Sequence, residues 1–142
     1  MTPMKEDYLK IIFELGGANK LVSNKQIAIS LNIAAGSVTE MVNKMVDGKL
    51  VEHEPYSGVR LTATGMKYAE ELVRKHRIWE VFLTNTLHFD LPDVHDEAER
   101  LEHVTSDKMI DHLDDFLGHP KRCPHGGVIP DRNGHYAKDH DK

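Results

Sequence analysis

Four residues apart on one helical stretch stand His76 and Glu80, on the same stripe as Val73 and Leu83. A second stretch repeats the device, with His95, Glu99, Glu102 and His103 related by steps of three and four. Side chains at such spacing lie about 5–6 Å apart at Cβ and can reach one ion together. These six ligands are expected to face inward, where an unneutralised carboxylate costs several kcal/mol. A divalent cation between the two helices removes that cost, whereas a His-Glu pair taken singly is more often a surface hydrogen bond than a ligand set. Cys123 and His125, in Cys-Pro-His-Gly-Gly, form a two-residue clasp, although the thiol alone reads as a small buried hydrophobe. Asp7, judged alone, is a first-turn acid stabilised by the helix dipole.

The elements that must carry these groups are legible as a mainly α chain. Thr2 as N-cap and Pro3 at the first helical position open a helix with an apolar face of Tyr8, Ile11, Ile12 and Leu15, ended by Gly16-Gly17. Ser23 and Gln26 form a capping box for a short second helix with Ile27, Ala28 and Leu31. A third helix places Val38, Met41, Val42 and Met45 at i, i+3, i+4 and i+7, with Gly48 as its C′ stop. Two strands, Leu50 to Glu54 and Val59 to Thr62, join through Pro55-Tyr56-Ser57-Gly58. Three helices and a hairpin make a winged helix-turn-helix domain over residues 1–62. Residues 63–130 follow as an all-helical domain: a long helix from Ala63 to about Leu87, one opened by Pro92, and one capped by Ser106 and closed by Gly118 and Pro120. Residues 131–142 have no apolar period and are expected to be a disordered tail.

Charge separates the same two halves. The whole chain carries 18 basic and 23 acidic residues, a balance of −5. Residues 1–62 balance to zero and residues 63–142 hold the entire excess, together with nine of the ten histidines. That excludes polyanion binding through overall charge, but not through one local face. In a winged helix the third helix enters the major groove. Thr39, Asn43 and Lys44 would then meet bases and phosphates, with Ser37 and Glu40 on the same outward face. Arg60 on the wing and Lys25 would reach the backbone. The same residue types also suit an ordinary solvated face. The single cysteine rules out an intramolecular disulfide, and no apolar run is long enough to span a membrane. No signal peptide opens the chain, so a cytoplasmic protein without a membrane partner is expected. There is no H-E-x-x-H helix and no candidate Ser or Cys triad, so neither an enzyme nor a small-molecule substrate is expected.

Six stretches carry a resemblance: Lys5-Glu6-Asp7-Tyr8-Leu9-Lys10, Ser37-Val38-Thr39-Glu40-Met41, Arg74-Lys75-His76-Arg77, His95-Asp96-Glu97-Ala98-Glu99, Leu101-Glu102-His103-Val104 and Cys123-Pro124-His125-Gly126-Gly127-Val128-Ile129-Pro130. Over residues 3–130 the chain resembles the diphtheria-toxin-repressor family of metal-dependent bacterial repressors, in particular its manganese-responsive branch. The resemblance implies a homodimer on double-stranded operator DNA, with the second domain as the dimer interface and metal-uptake genes as targets. It implies a primary metal site of Asp7, Glu99, Glu102 and His103, and an ancillary site drawn from His76, Glu80, His95, Cys123 and His125. How those last five group stays open. Iron-responsive relatives have a thioether at the position of Asp7 and a thiol at that of Glu99. The two carboxylates here lean toward Mn(II) as cofactor, with Fe(II) or Zn(II) as alternatives. Relatives with proline at Ala35 and Gly36 leave the start of the third helix open, and Ser37 with Glu40 could be a later capping box. Longer members continue into an SH3-like third domain, before which this chain ends.

Overall fold

A computed structural model describes residues 1–132, so most of the expected tail, residues 133–142, lies outside the described residues. The polypeptide forms two compact units, Met1–Glu70 and a second beginning at Glu71.

In the first unit Thr2 caps α1 (Pro3–Glu14), its hydroxyl accepting from the Lys5 amide at 3.2 Å. Beyond the predicted Tyr8 and Ile12, α1 also buries Leu9, while Ile11 and Leu15 are half-buried. The helix packs against both α2 and β2, so its inner face is wider than one stripe. The capping box of Ser23 and Gln26 opens α2 (Asn24–Leu31) in both directions, as expected. α3 spans Ala35–Asp47 with Ala34 as N-cap and no side-chain cap. Ser37 and Glu40 therefore lie inside the helix and form no later start. Val38, Val42 and Met45 are buried and Met41 half-buried.

The stop after α3 corrects the expectation for Gly48. Gly48 is the C-cap at φ −80°, and Lys49 takes the left-handed conformation at φ 61°. Lys49 N donates to Val46 O at 3.0 Å and Leu50 N to Met45 O at 2.9 Å, a Schellman closure that carries Leu50 into the core. Burying Leu50 beside Met45 sets the register of the stop, and it outweighs the preference for glycine at the left-handed position. β1 (Val51–Glu54) and β2 (Gly58–Leu61) then pair antiparallel, Val51 opposite Leu61 and Glu54 opposite Gly58. Val22 and Val59 exchange both backbone hydrogen bonds, at 2.7 and 2.8 Å. This brings the Val22 carbonyl oxygen to 2.2 Å from where a Cβ on residue 58 would stand, so only glycine fits, at φ 129°.

α4 (Ala63–Asn85) begins in the first unit and continues into the second. There α5 (Leu91–Glu102) follows Asp90, with Pro92 in its first turn. Ser106 caps α6 (Asp107–Phe116) by accepting from the Met109 amide at 3.0 Å. At the end of α6 the same Schellman closure forms with glycine in place, Gly118 at φ 78°. Apolar packing in this unit falls into two groups, one around Ile78, Val81, Ile110, Leu113, Cys123 and Ile129, the other around Leu83, Val94 and Ala98, with Trp79 touching both. Trp79 Nε1 donates to Thr105 Oγ1 at 2.8 Å, anchoring the turn after α5. Among the described residues no helix is long and apolar enough to cross a membrane.

Candidate metal centre and nucleic-acid interface

Along the second unit's part of α4, Val73, His76, Glu80 and Leu83 are all buried, so the i, i+3, i+4 stripe carries ionisable groups inward as its spacing predicts. From α5, Val94, Ala98 and Glu102 turn inward at four-residue steps. Glu102 has no exposed side-chain surface, and its Oε1 lies 2.5 Å from His76 Nδ1. The other ring nitrogen of His76 is 3.3 Å from Glu80 Oε2. One imidazole thus joins a ligand of the implied primary set to one of the implied ancillary set.

His95 and Glu99 do not share that burial. Their side chains are 55% and 40% exposed, 3.5 Å apart, which corrects the expectation that all six face inward. Each stands one position beyond a buried residue, Val94 or Ala98, and one step rotates a helical side chain about 100° out of the core. The His95 ring still meets that of His76 edge-on, with centroids 4.8 Å apart. His103, the C-cap of α5, is mostly buried, with Nε2 3.9 Å from Glu102 Oε2. Asp7, half-buried on α1, belongs to the first unit.

Cys123 and His125 arrive on the segment after α6. Gly126 N donates to Cys123 O and Cys123 N to Gly127 O, both at 2.9 Å, folding the clasp into a tight turn. Arg77 on α4 holds it down: its guanidinium donates to the Val128 carbonyl and lies where a Cβ on Gly127 would stand, 2.8 Å from Arg77 Nε. His125 Nδ1 reaches Glu80 Oε2 at 2.9 Å. The five ancillary candidates consequently gather as two overlapping sets, His76–Glu80–His95 and Glu80–Cys123–His125, with Glu80 common to both. Within each set the ligand atoms lie within 4.8 Å of one another.

Electrostatics fit the donors to a cation. Burial pushes the Glu80 carboxyl up, but the hydrogen bond and charge of His76, the Cys123 hydrogen bond and the charge of His125 together hold it below its ordinary value. Burial, reinforced by the Glu80 carboxylate, raises the Cys123 thiol, so it is protonated near neutrality. A metal bound there must displace that proton. Two buried carboxylates about one imidazole suit a hard divalent ion, and the sulfur of the second set suits a softer one.

Sequence reasoning missed three participants. Asp96 gathers with His95 and Glu99 on the exposed side of α5, adjacent in sequence to a proposed ligand. Arg77 sets the clasp, a contact no spacing could reveal. Arg74 is buried between Asp111 (2.8 Å) and Asp114 (3.2 Å), and its signal was the pair of acids three apart in α6.

In the first unit the outward face of α3 is as expected: Ser37, Thr39, Glu40, Asn43 and Lys44 are all exposed. Thr39 Oγ1 donates to its own helix at Ala35 O, 3.2 Å away. Ser37, Glu40 and Lys44 line one side of a shallow groove of about 270 Å³ whose other walls are Met4, Tyr8, Ile33 and Met41. Lys25 is exposed in the first turn of α2. Arg60 on β2 is loosely paired with Glu54 across the wing at 3.8 Å.

Residues 1–59 match the family described as iron dependent repressor, N-terminal DNA binding domain, and residues 62–131 that described as iron dependent repressor, metal binding and dimerisation domain. The transcriptional regulator MntR of Oceanobacillus iheyensis is 33% identical over 120 residues, 84% of this chain and 81% of that protein. The diphtheria toxin repressor of Corynebacterium glutamicum is 35% identical over 125 residues, 88% of this chain and 55% of that one. Among solved structures, the manganese regulator SloR superposes with TM-score 0.85 at 47% identity, over 98% of this chain and 65% of its own. A manganese-dependent transcriptional repressor in complex with manganese gives 0.86 at 38%, over 94% and 62%. The chain thus spans just under two thirds of these structures and about half of the diphtheria toxin repressors. Members are transcriptional repressors and not enzymes, and the neighbours include the family's manganese regulators. With both halves matched in order, the chain belongs to the diphtheria-toxin-repressor family of metal-dependent transcriptional repressors.

Proposed function

We propose that this chain is a manganese-dependent repressor, in which residues 1–62 bind operator DNA and residues 63–130 bind Mn(II) and dimerise. The observation that carries the reading is the buried cluster of Glu80, Glu102 and His76, two carboxylates in hydrogen-bonding reach of one imidazole. Apolar stripes tolerate such groups when a cation neutralises them. Asp7, Glu99, Glu102 and His103 would hold one ion, and the sets sharing Glu80 would hold another. The bound ion supplies positive charge and fixed coordination geometry.

Asp7 lies on α1 of the DNA-binding half and its proposed partners lie in the other half. The carboxylate of Asp7 therefore restrains one domain against the other when all four groups share a ligand. In a dimer two copies of α3 must stand about 34–36 Å apart to enter successive major grooves. A restrained pair populates that spacing more of the time, and operator DNA tightens metal binding by the same factor. Repression of metal-uptake genes in the cytoplasm follows. The thiolate-capable set Glu80–Cys123–His125 favours Zn(II) as a second reading for that set alone.

The test is operator binding to a metal-transporter promoter with Mn(II), Fe(II) and Zn(II) in parallel, for the native chain and for Asp7→Ala. Mn(II) should tighten native binding by about tenfold or more, a typical coupling. Asp7→Ala should abolish that gain while leaving the metal-free affinity unchanged. Mn(II)-stimulated binding that survives in the variant refutes the bridging role.

A further inference from the structure

Three residues of α3 point inward, Val38, Val42 and Met45. At about 100° per residue, the opposite pole of the helix runs through Glu40 and, at the last helical residue, Asp47, so that Glu40 is the one within the body of the helix. A carboxylate therefore stands at the centre of the face that the repressor reading turns toward a polyanion. It is exposed, and among the described residues it has no hydrogen bond or ion pair. Lys44, four residues on, is in the favourable orientation for a pair and lines the same groove, yet the two remain separate. Ser37, Asn43 and Lys44 around it can all donate to phosphate oxygens. An ionised glutamate cannot, because it only accepts.

We infer that Glu40 reads cytosine: its carboxylate accepts a hydrogen bond from the exocyclic N4 amino group in the major groove. Two amino groups are offered there, N4 of cytosine and N6 of adenine. The adenine amino group sits beside N7, an acceptor that would repel the second carboxylate oxygen. The cytosine amino group sits beside C5–H, which does not. The contact explains why a negative charge stands on this face, and it makes one position in each half-site sequence-specific. It rests on the reading of the chain as an operator-binding repressor.

Selection of binding sites from randomised duplexes decides the matter, using the full chain with saturating Mn(II) at fixed salt, native against Glu40→Gln and Glu40→Ala. An amide both donates and accepts, matching adenine N6 and N7. The native chain should enrich cytosine at one position per half-site, Glu40→Gln should shift that position to adenine, and Glu40→Ala should lose the preference. The change at that position should be about fivefold or more, with the other positions and the salt dependence unaltered. Unchanged base preference in both variants overturns the inference while the repressor reading stands. So does a uniform gain in affinity for all sequences, which would mean that Glu40 merely repelled phosphates. A native chain that selects no sequence overturns both.

Discussion

Among the described residues the first unit closes around apolar side chains running from Tyr8 to Ala69, and Lys10 is its one buried charged residue. The second unit divides its apolar packing and buries Arg74, His76, Glu80, Glu102 and Asp114. The DNA contacts proposed for the first unit lie on the outside of a finished core, where Thr39, Glu40 and Lys44 can change without touching Val38 or Val42. Of the ligands proposed for the second, His76, Glu80 and Glu102 are part of the core. The first unit should therefore hold its shape whether or not metal is present, and the second should depend on how its buried charges are met.

The largest break in that contrast is Arg74→Met. Removing the guanidinium leaves buried Asp114 with only the half-exposed imidazole of His119, at 3.2 Å, and loss of one member of a buried pair costs about 3–5 kcal/mol. Chemical denaturation should register that loss, and segment-resolved hydrogen exchange should confine it to residues after Glu71. A smaller and sharper probe is Glu102→Gln. The amide keeps the shape but not the charge, so the metal-free second unit should be equally or more stable. Mn(II) affinity measured by calorimetry should fall by at least about tenfold, since even partners that only support a ligand cost that much. A variant that loses stability without metal but keeps its affinity would make Glu102 a structural residue. The smallest effect belongs to the first unit: Ser23→Ala removes the capping box of α2 and should cost about 1 kcal/mol, the same with and without Mn(II). A metal-dependent difference there would show that the units are not as independent as their cores suggest.

Most of the architecture was legible because local rules dominate it. Thr2, Ser23 and Ser106 cap the helices they were expected to cap, and Gly118 closes α6. α3 stops at Gly48 as expected, but Gly48 is the C-cap and Lys49 takes the C′ position, because the closure carries Leu50 into the core, a demand that propensity cannot register. Within the candidate site, the inward direction of His76 and Glu80 followed from their stripe. His95 and Glu99 were assigned to the same inner face although each sits one residue past a buried position.

The sequence alone determined which groups were available: hard and soft ligands at helical spacings, and a neutral half followed by an acidic one. Periodicity is a property of neighbours within about four residues, so it reveals the faces of single helices. What the tertiary structure decided is how those faces combine. The pairing of His76 with Glu102, the sharing of Glu80 by two sets and the clamp of Arg77 on the Cys123 turn all join residues 26 to 51 positions apart or belong to different elements. Such contacts are set by the packing of whole helices, because the free energy that brings them together is spread over the entire core and is written in no short stretch of chain.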